Sequence, residues 1–150
     1  MLYHIKIFQD AERNVIPGNF YRWPNARVPY VIDQGLRQGC LYVGTTIHEL
    51  GHAIGFYHEQ NRSDRDNFLY IYLNNVVRGM EFNFAKLAPS QNLLLTAFDY
   101  GSIMIYGNDA FSKDGSPTMV AKNGQKLLNP FDKQSLTSSD AERVKKMYNC

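Results

Sequence analysis

Cysteine is scarce in this sequence, which contains only Cys40 and Cys150. Two cysteines do not build a disulfide framework, and their number alone does not assign a redox compartment. Long apolar runs are also missing, so no membrane-spanning helix is predicted. The net charge is +2, from 16 basic and 14 acidic side chains, and no basic cluster stands out. We therefore expect neither a nucleic-acid nor a membrane partner.

The first residues lack the features of a targeting segment. Residues 1–8 are too short and too polar for a secretory signal peptide. We therefore expect either that the protein stays inside the cell or that its true start lies upstream. The 150 residues, of which 44% are hydrophobic, predict one domain with a hydrophobic core. Oligomeric state is unknown from the sequence.

Histidine is rare too, but three of the four histidines lie close together, at His48, His52 and His58. On a helix that turns about 100° per residue, His48 and His52 lie about 40° apart on one face, so both can reach one metal ion. Glu49 adjoins the first histidine and can hydrogen-bond water at that metal without being a ligand. Gly55 can adopt a positive φ, which lets the helix end in a sharp turn that returns His58 to the same ion.

Three neutral imidazoles leave a tetrahedral zinc ion with one open position for water, which is the arrangement of a catalytic zinc site. We predict one Zn²⁺ per chain. The alternative is coincidence, because a bare HExxH pattern also occurs in helices that bind no metal. Burying three histidines and a glutamate is costly unless they are paired or metal-bound, and this favours the zinc site.

Two helices and one strand are predicted around this motif. Thr45 or Thr46 is expected to cap the zinc helix, which runs to about Gly55. Ser139 and Glu142 are expected to form the capping box of a C-terminal helix. The apolar stripes of these helices are expected at Ile47, Leu50 and Ile54 and at Val144, Met147 and Tyr148. Residues 28–32 predict a strand, at an edge or a strand start because of a proline.

Two further segments have an ordinary and a functional interpretation. Residues 58–66 are strongly charged, which is typical of a solvated loop. Residues 99–107 form a compact apolar turn, in which Met104 can pack in the core and also floor the zinc site. Tyr106 can point its phenol at the metal, and the alternative is a packed tyrosine with a satisfied hydroxyl.

These residues together resemble the astacin family of the metzincin zinc endopeptidases. The long motif HExxHxxGFxHExxRxDRD of that family stands complete at residues 48–66, and its Met-turn SxMxY stands at residues 102–106. The family often has histidine where Ile105 stands. Further resemblance runs through residues 22–25, 28–30, 136–137 and 140–150, so that it covers nearly the whole chain.

The resemblance implies an α+β, zincin-like fold, with the active-site helix beneath a β-sheet, here reduced, and a loop-rich C-terminal half with a terminal helix. It implies that His48, His52 and His58 bind zinc and that Glu49 is the general base. Tyr106 would be the family's switchable fifth ligand, which leaves the zinc to stabilise the oxyanion. The implied function is a zinc-dependent metalloendopeptidase that hydrolyses peptide bonds in protein or peptide substrates and is secreted.

The resemblance also implies maturation by proteolysis. The usual maturation site of the family resembles residues 13–14, so residues 1–13 would be a propeptide remnant and residues 14–150 the peptidase domain. Residues 8–10 resemble the family's propeptide element FxGD, whose aspartate blocks the zinc, but they lack its glycine. Asp10 would be that aspartate. The new N-terminus would lie near Glu59.

One departure from the family is large. The chain is shortened between residues 33 and 40, where the family has a long helix and several strands, including the edge strand that pairs with substrate. Cys40 and Cys150 resemble two of the family's four cysteines and would either pair with each other or stay free. The shortening leaves open a catalytically impaired zinc-binding remnant or isoform that acts as a binding protein. A zinc hydrolase acting on non-peptide substrates is a further alternative.

Overall fold

The computed structural model describes residues 17–18, 22–28 and 42–150. This part of the chain has two α-helices, α1 (Val43–Ala53) and α2 (Ser138–Tyr148), and two strands, β1 (Leu69–Ile71) and β2 (Met119–Ala121). The strands pair in antiparallel register, with Tyr70 opposite Val120. Short 3₁₀ turns occur at Pro24–Ala26, Glu59–Asn61, Arg65–Asn67, Leu73–Asn75, Glu81–Phe84, Pro89–Gln91 and Pro130–Asp132.

Helix α1 starts earlier than predicted and without a side-chain cap. Its N-cap residue is Tyr42, so the expectation that Thr45 or Thr46 caps the helix was wrong, and both threonines lie inside it. The first turn is instead positioned by a tertiary contact. A Cβ on Gly44 would stand 1.9 Å from the carbonyl oxygen of Pro130, so that only glycine permits this approach of the two backbones.

The C-terminal end of α1 is stabilised by side chains from distant parts of the chain. The Trp23 indole N–H donates to the Ala53 carbonyl at 2.6 Å, and the Tyr148 hydroxyl donates to the Ile54 carbonyl at 3.0 Å. These bonds satisfy carbonyls that have no partner within the helix. Gly55 then turns the chain with φ +106°, as the sequence predicted.

Two hydrophobic clusters meet at the Met-turn, residues 102–106. Ile103 and Met104 belong to the first cluster and Ile105 to the second. Ile47 of α1 and its C-cap residue Ile54 pack against the first cluster, but Leu50 is 40% exposed, so the predicted stripe was wrong at that position. The buried members of the first cluster are Phe56, Ile103, Met104 and Met147, and those of the second are Leu69, Val76, Phe84, Ile105, Met119, Ala121 and Leu127.

Helix α2 is capped by Thr137 and Asp140, and the predicted pair Ser139 and Glu142 was wrong. The Asp140 backbone N–H donates to the Thr137 hydroxyl oxygen at 3.0 Å, and the Thr137 N–H donates to the Asp140 carboxylate at 3.2 Å. Glu142 is instead exposed and pairs with Lys146 at 2.6 Å. The predicted α2 stripe is confirmed, because Met147 is buried and both Val144 and Tyr148 pack against the first cluster.

Several predictions fall outside the described residues. Of the strand predicted at residues 28–32, only Val28 is among the described residues. Asp10, residues 13–14 and Cys40 also lie outside them. Cys150 follows α2 and is exposed. None of the helices described is long and apolar enough to cross a membrane.

Candidate active site

The three predicted histidines converge in the structure. His48 and His52 lie one turn apart on α1, and the turn at Gly55 brings His58 back to them. The Nε2 atoms stand 3.1 Å apart for His48 and His52, 3.2 Å for His48 and His58, and 3.0 Å for His52 and His58. The three side chains therefore present one nitrogen each to a common point.

Backbone carbonyls orient two of the imidazoles. His48 Nδ1 lies 2.8 Å from the Ile103 carbonyl oxygen, and His52 Nδ1 lies 2.9 Å from the Phe56 carbonyl oxygen. A carbonyl only accepts hydrogen bonds, so each Nδ1 carries the proton and each Nε2 presents a lone pair. This is the usual outer hydrogen bond of a metal-binding histidine. A hydrogen bond also links the Asn61 side chain to His58, and it opposes the lowering of the His58 pKa.

Burial keeps these imidazoles neutral. It lowers the pKa of His48 to about 3, with His52 adding to the effect. Burial also lowers the pKa of His52, and it lowers that of His58 well below the ordinary value, with the other two histidines contributing. Neutral imidazoles bind metals, whereas imidazolium ions do not.

The cluster fits zinc by geometry and by chemistry. Tetrahedral zinc with Zn–N distances of about 2.0–2.1 Å places two ligand nitrogens about 3.3 Å apart. The observed Nε2 separations of 3.0, 3.1 and 3.2 Å are close to that value. Three lone pairs at this separation repel one another, and a cation at their centre turns the repulsion into attraction. The histidines thus form a three-histidine zinc site.

Glu49 and Tyr106 are the other two residues predicted for the site. Glu49 follows the first histidine on α1 and is half-buried, and burial raises the pKa of its carboxyl. The Tyr106 ring centroid lies 4.4 Å from that of His58 and 6.2 Å from that of His48. The structure therefore brings together the three histidines and Tyr106, whose ring lies directly against an imidazole. Glu49 remains a predicted site residue, on α1 next to His48.

The Met-turn forms the floor of the site, as predicted. Met104 is fully buried, and a Cβ on Gly51 would stand 2.6 Å from its Sδ atom. Glycine at this position therefore lets the thioether pack directly beneath the helix that carries two of the histidines. Because the Ile103 carbonyl accepts from His48, the same turn also orients an imidazole.

Three polar side chains fix the Met-turn, and the sequence did not predict this role for them. The buried Asp140 carboxylate accepts from the Ser102 hydroxyl at 2.7 Å and from the Ile103 N–H at 2.9 Å. Lys133 Nζ donates to the carbonyls of Ser102 at 2.7 Å and Ile105 at 3.0 Å. Burial lowers the pKa of Lys133 to about 8. The sequence indicated these contacts only by the presence of polar residues in loops and on α2.

A buried ion network lies directly after the third histidine. Glu59 is 0% exposed, and its carboxylate accepts from Arg62 Nη1 at 3.0 Å, from Arg143 Nη1 at 2.9 Å and from the Asp99 N–H at 2.9 Å. Arg62 also pairs with Asp64 through two bonds of 2.9 Å. Burial raises the pKa of Glu59, while the guanidinium groups of Arg143 and Arg62 oppose that shift. The expectation of a solvated loop was wrong for this segment.

The predicted maturation site at residues 13–14 lies outside the described residues, but Glu59 lies within them. The carboxylate of Glu59, near which a new N-terminus was expected, already contacts two guanidinium groups. Arg143, which the sequence did not single out, lies 84 residues after Glu59. Its spacing of three residues from Asp140 places both on one face of α2.

Comparison with known proteins agrees with this geometry. Residues 35–149 match the peptidase family described as Astacin. Astacin-like peptidase p16 from Argiope aurantia is 66% identical over 104 residues, covering 69% of this chain and 99% of its own length. Astacin-like metalloprotease toxin 1 from Loxosceles intermedia is 43% identical over 118 residues, covering 77% of this chain.

A solved structure confirms the predicted fold. High choriolytic enzyme 1, a hatching enzyme zinc-protease from Oryzias latipes, superimposes with a TM-score of 0.68 at 40% identity, over 76% of this chain and 56% of that one. The chain spans 45% of the Loxosceles toxin and 20% of zinc metalloproteinase nas-15 from Caenorhabditis elegans. The family match, these relatives and the three-histidine cluster together show that the chain belongs to the astacin family of zinc metalloendopeptidases.

Proposed function

We propose that this chain hydrolyses peptide bonds in protein substrates, with His48, His52 and His58 holding one zinc ion. The observation that carries the proposal is the convergence of three Nε2 atoms within 3.0–3.2 Å, while two Nδ1–H groups bond outward to carbonyls. Three acceptor nitrogens that face one another this closely interact unfavourably until a cation binds them. A zinc ion bound there supplies Lewis acidity, which activates water and polarises the scissile carbonyl.

Glu49 acts as the general base in this proposal. Its carboxylate takes a proton from the attacking water while the oxygen–carbon bond forms, and it passes that proton to the leaving amine as the carbon–nitrogen bond breaks. A carboxyl with an ordinary pKa holds a proton poorly at neutral pH. Burial raises the pKa of Glu49, which brings it closer to the value that such transfer requires.

Tyr106 stabilises the negative charge that develops on the carbonyl oxygen. Its phenol O–H is a donor, and donors aimed at a developing oxyanion lower the barrier substantially. The contact between its ring and His58, with centroids 4.4 Å apart, supports this role because it holds the side chain beside the metal cluster.

The names of the relatives suggest a substrate class and a cellular location for this protein. The relatives' names include a hatching enzyme and a toxin, both terms for proteins that act outside the cell that makes them. We propose that this protein is likewise secreted and cleaves extracellular proteins. The peptidase domain is proposed to span residues 14–150, after a propeptide remnant at residues 1–13.

The competing function is a zinc-binding protein without turnover. One observation favours it, since the chain covers 56% of the hatching enzyme, and the sheet in the described residues consists of two strands of three residues each. A peptidase that binds substrate by main-chain pairing needs a sheet edge.

The test is cleavage of a broad peptide library by the full chain refolded with one equivalent of zinc, analysed by mass spectrometry. We expect cleavage that a chelator abolishes and added zinc restores. The control is Glu49→Ala, which should bind a full equivalent of zinc and cleave nothing. A wild-type chain that folds cooperatively and binds zinc but cleaves no peptide would establish the binding-protein function instead.

A further inference from the structure

Phe111 has an unusual backbone conformation for its residue type. Its φ is +55°, and the other non-glycine residues with positive φ in the described part of the chain are Asn25 and Asn149. Asparagine tolerates the left-handed region, whereas a bulky aromatic residue there is strained. Such strain persists only where surrounding contacts impose it, and it commonly marks a functional position.

Backbone hydrogen bonds impose this conformation. The Phe111 carbonyl accepts from the Val77 N–H at 2.9 Å, and the next residue, Ser112, forms a bridge with Val76. The Lys113 N–H donates to the Asn75 carbonyl at 2.9 Å. The segment after the Met-turn is therefore tied to residues 75–77, and this attachment fixes the direction in which the Phe111 side chain leaves the backbone.

The Phe111 ring lies between the hydrophobic core and the active site. On one side its centroid is 6.2 Å from that of Phe84, which is 1% exposed, with the ring planes at 87°. On the other side it is 5.5 Å from the centroid of Tyr106, at 63°. The Tyr106 ring then contacts His58. A continuous line of ring contacts thus joins the buried core to the metal cluster.

Edge-to-face aromatic pairs are favourable beyond the burial of their area, so the contact with Phe111 favours one orientation of the Tyr106 ring. Tyr106 is only half-buried, and His58 supports one side of its ring. Phe111 is 37% exposed, so its ring is not needed to fill the core and instead borders the site. The strained backbone conformation thus goes with an aromatic ring packed against Tyr106.

We infer that Phe111 is a positioning residue, which holds the Tyr106 phenol in the orientation that meets the developing oxyanion. This inference rests on the proposed function, because it assigns Phe111 a role through Tyr106. Phe111 contacts no reacting atom in this role. Its loss should therefore lower kcat by making the productive orientation of Tyr106 less populated, while substrate binding is retained.

Three variants of Phe111 distinguish the effect of losing the aromatic ring from the effect of relieving the backbone strain. Phe111→Gly removes both, because glycine adopts φ +55° freely. Phe111→Ala removes the ring and keeps a Cβ in the strained conformation. Phe111→Tyr keeps an aromatic edge. Phe82→Ala removes another aromatic ring, 54% exposed, from a nearby surface turn and is the matched control.

We expect kcat to fall about 10- to 100-fold in both Phe111→Gly and Phe111→Ala, with KM changed less than about threefold. Phe111→Tyr and Phe82→Ala should keep wild-type kcat. Full activity of Phe111→Gly would overturn the inference. A raised KM with unchanged kcat would also overturn it, because it would make Phe111 a substrate contact.

A double-mutant cycle with Tyr106→Phe tests the route of the effect. Once the phenol hydroxyl is gone its orientation no longer matters, so Phe111→Gly should lower kcat little further in that background. Additive effects would show that Phe111 does not act through Tyr106. If Tyr106→Phe itself keeps full activity, the failure belongs to the role proposed for Tyr106.

An NMR measurement that does not depend on catalytic turnover completes the test. In a chain labelled with ¹³C at the tyrosine rings, the Tyr106 signal is identified by its loss in Tyr106→Phe. We expect this signal to shift and broaden in metal-free Phe111→Gly, as the ring samples more orientations, and to stay unchanged in Phe82→Ala. An unchanged Tyr106 signal in Phe111→Gly would contradict the inference even if the chain proved catalytically inactive.

Discussion

His58 and Glu59 are neighbours in the chain, but their side chains enter two polar clusters of opposite character. The imidazole joins two others whose nitrogens face one another at 3.0–3.2 Å. The carboxylate joins two arginines whose N–H groups it accepts at 2.9–3.0 Å. The first cluster has only acceptors at its centre, whereas the second matches donors to acceptors.

This contrast indicates that the ion network around Glu59 stabilises the fold, whereas the histidine cluster serves to bind a ligand. The ion network links the segment after α1 to α2 with complementary charges, so we expect it to stabilise the chain with or without metal. The histidine cluster gains its favourable interactions from a cation and should contribute to stability only when zinc is bound. Four predictions test this division, beginning with the largest expected effect.

Arg143→Ala should lower the free energy of unfolding of the metal-free chain by about 3–5 kcal/mol, because it leaves a buried carboxylate with one of its two guanidinium partners. Urea denaturation followed by circular dichroism measures this. Lys145→Ala, at an exposed position on the same helix, should change stability by less than about 0.5 kcal/mol. Equal effects of the two changes would mean that the buried network does not stabilise the fold.

Removal of zinc should lower the free energy of unfolding by about 2.7–4.1 kcal/mol, if the free zinc concentration was about 100 to 1,000 times its dissociation constant. Unfolding of the metal-free chain should remain cooperative, since the ion network is complete without metal. Calorimetry with and without chelator makes the comparison. A chain that loses all cooperative unfolding on chelation would break the division proposed here.

His58→Ala should weaken zinc binding by at least about 100-fold, or about 2.8 kcal/mol, because it removes one of three ligands. In the metal-free chain the same change should cost less stability than Arg143→Ala. Zinc competition with a chromogenic chelator measures the affinity. His4→Ala changes the one histidine outside the motif and should leave the affinity unchanged, and a full-affinity His58→Ala chain would refute the ligand assignment.

Thr137→Ala should lower stability by about 1 kcal/mol, because it removes the N-cap of α2. The Thr137 hydroxyl also donates to the Asp99 carboxylate at 2.6 Å. Ser138→Ala, at the next and exposed position, is the control and should have little effect. A Thr137→Ala chain as stable as the control would mean that Asp140 and its Met-turn contacts hold the helix end without the cap.

Helical periodicity made the metal cluster predictable. Two histidines four residues apart must share a helix face, and a glycine after them permits the turn that returns the third. Local spacing therefore determined most of the cluster geometry. The apolar turn at residues 99–107 allowed both a core and a functional interpretation of Met104 and Tyr106, and the resemblance to the astacin family favoured the functional one.

The wrong predictions of helix caps and burial arose where contacts between distant parts of the chain determine the local structure. Threonines near the start of α1 are good caps by type, but the packing of Gly44 on Pro130 sets where the helix begins. The capping box uses Asp140 and not the predicted Glu142, because the Asp140 carboxylate also accepts from the Met-turn. Glu59 looked solvated because its partner Arg143 lies 84 residues further along. No local pattern contains that information.

The long separation between Glu59 and Arg143 has a consequence for biosynthesis. The ribosome makes the three histidines first, and the side chains of α2 that brace the Met-turn and the segment after His58 come much later. The nascent chain thus carries every zinc ligand before it can hold them in place. We expect ribosome-stalled chains that end before Asp140 to bind zinc weakly and cleave nothing, so that proteolytic activity appears only once α2 has been made.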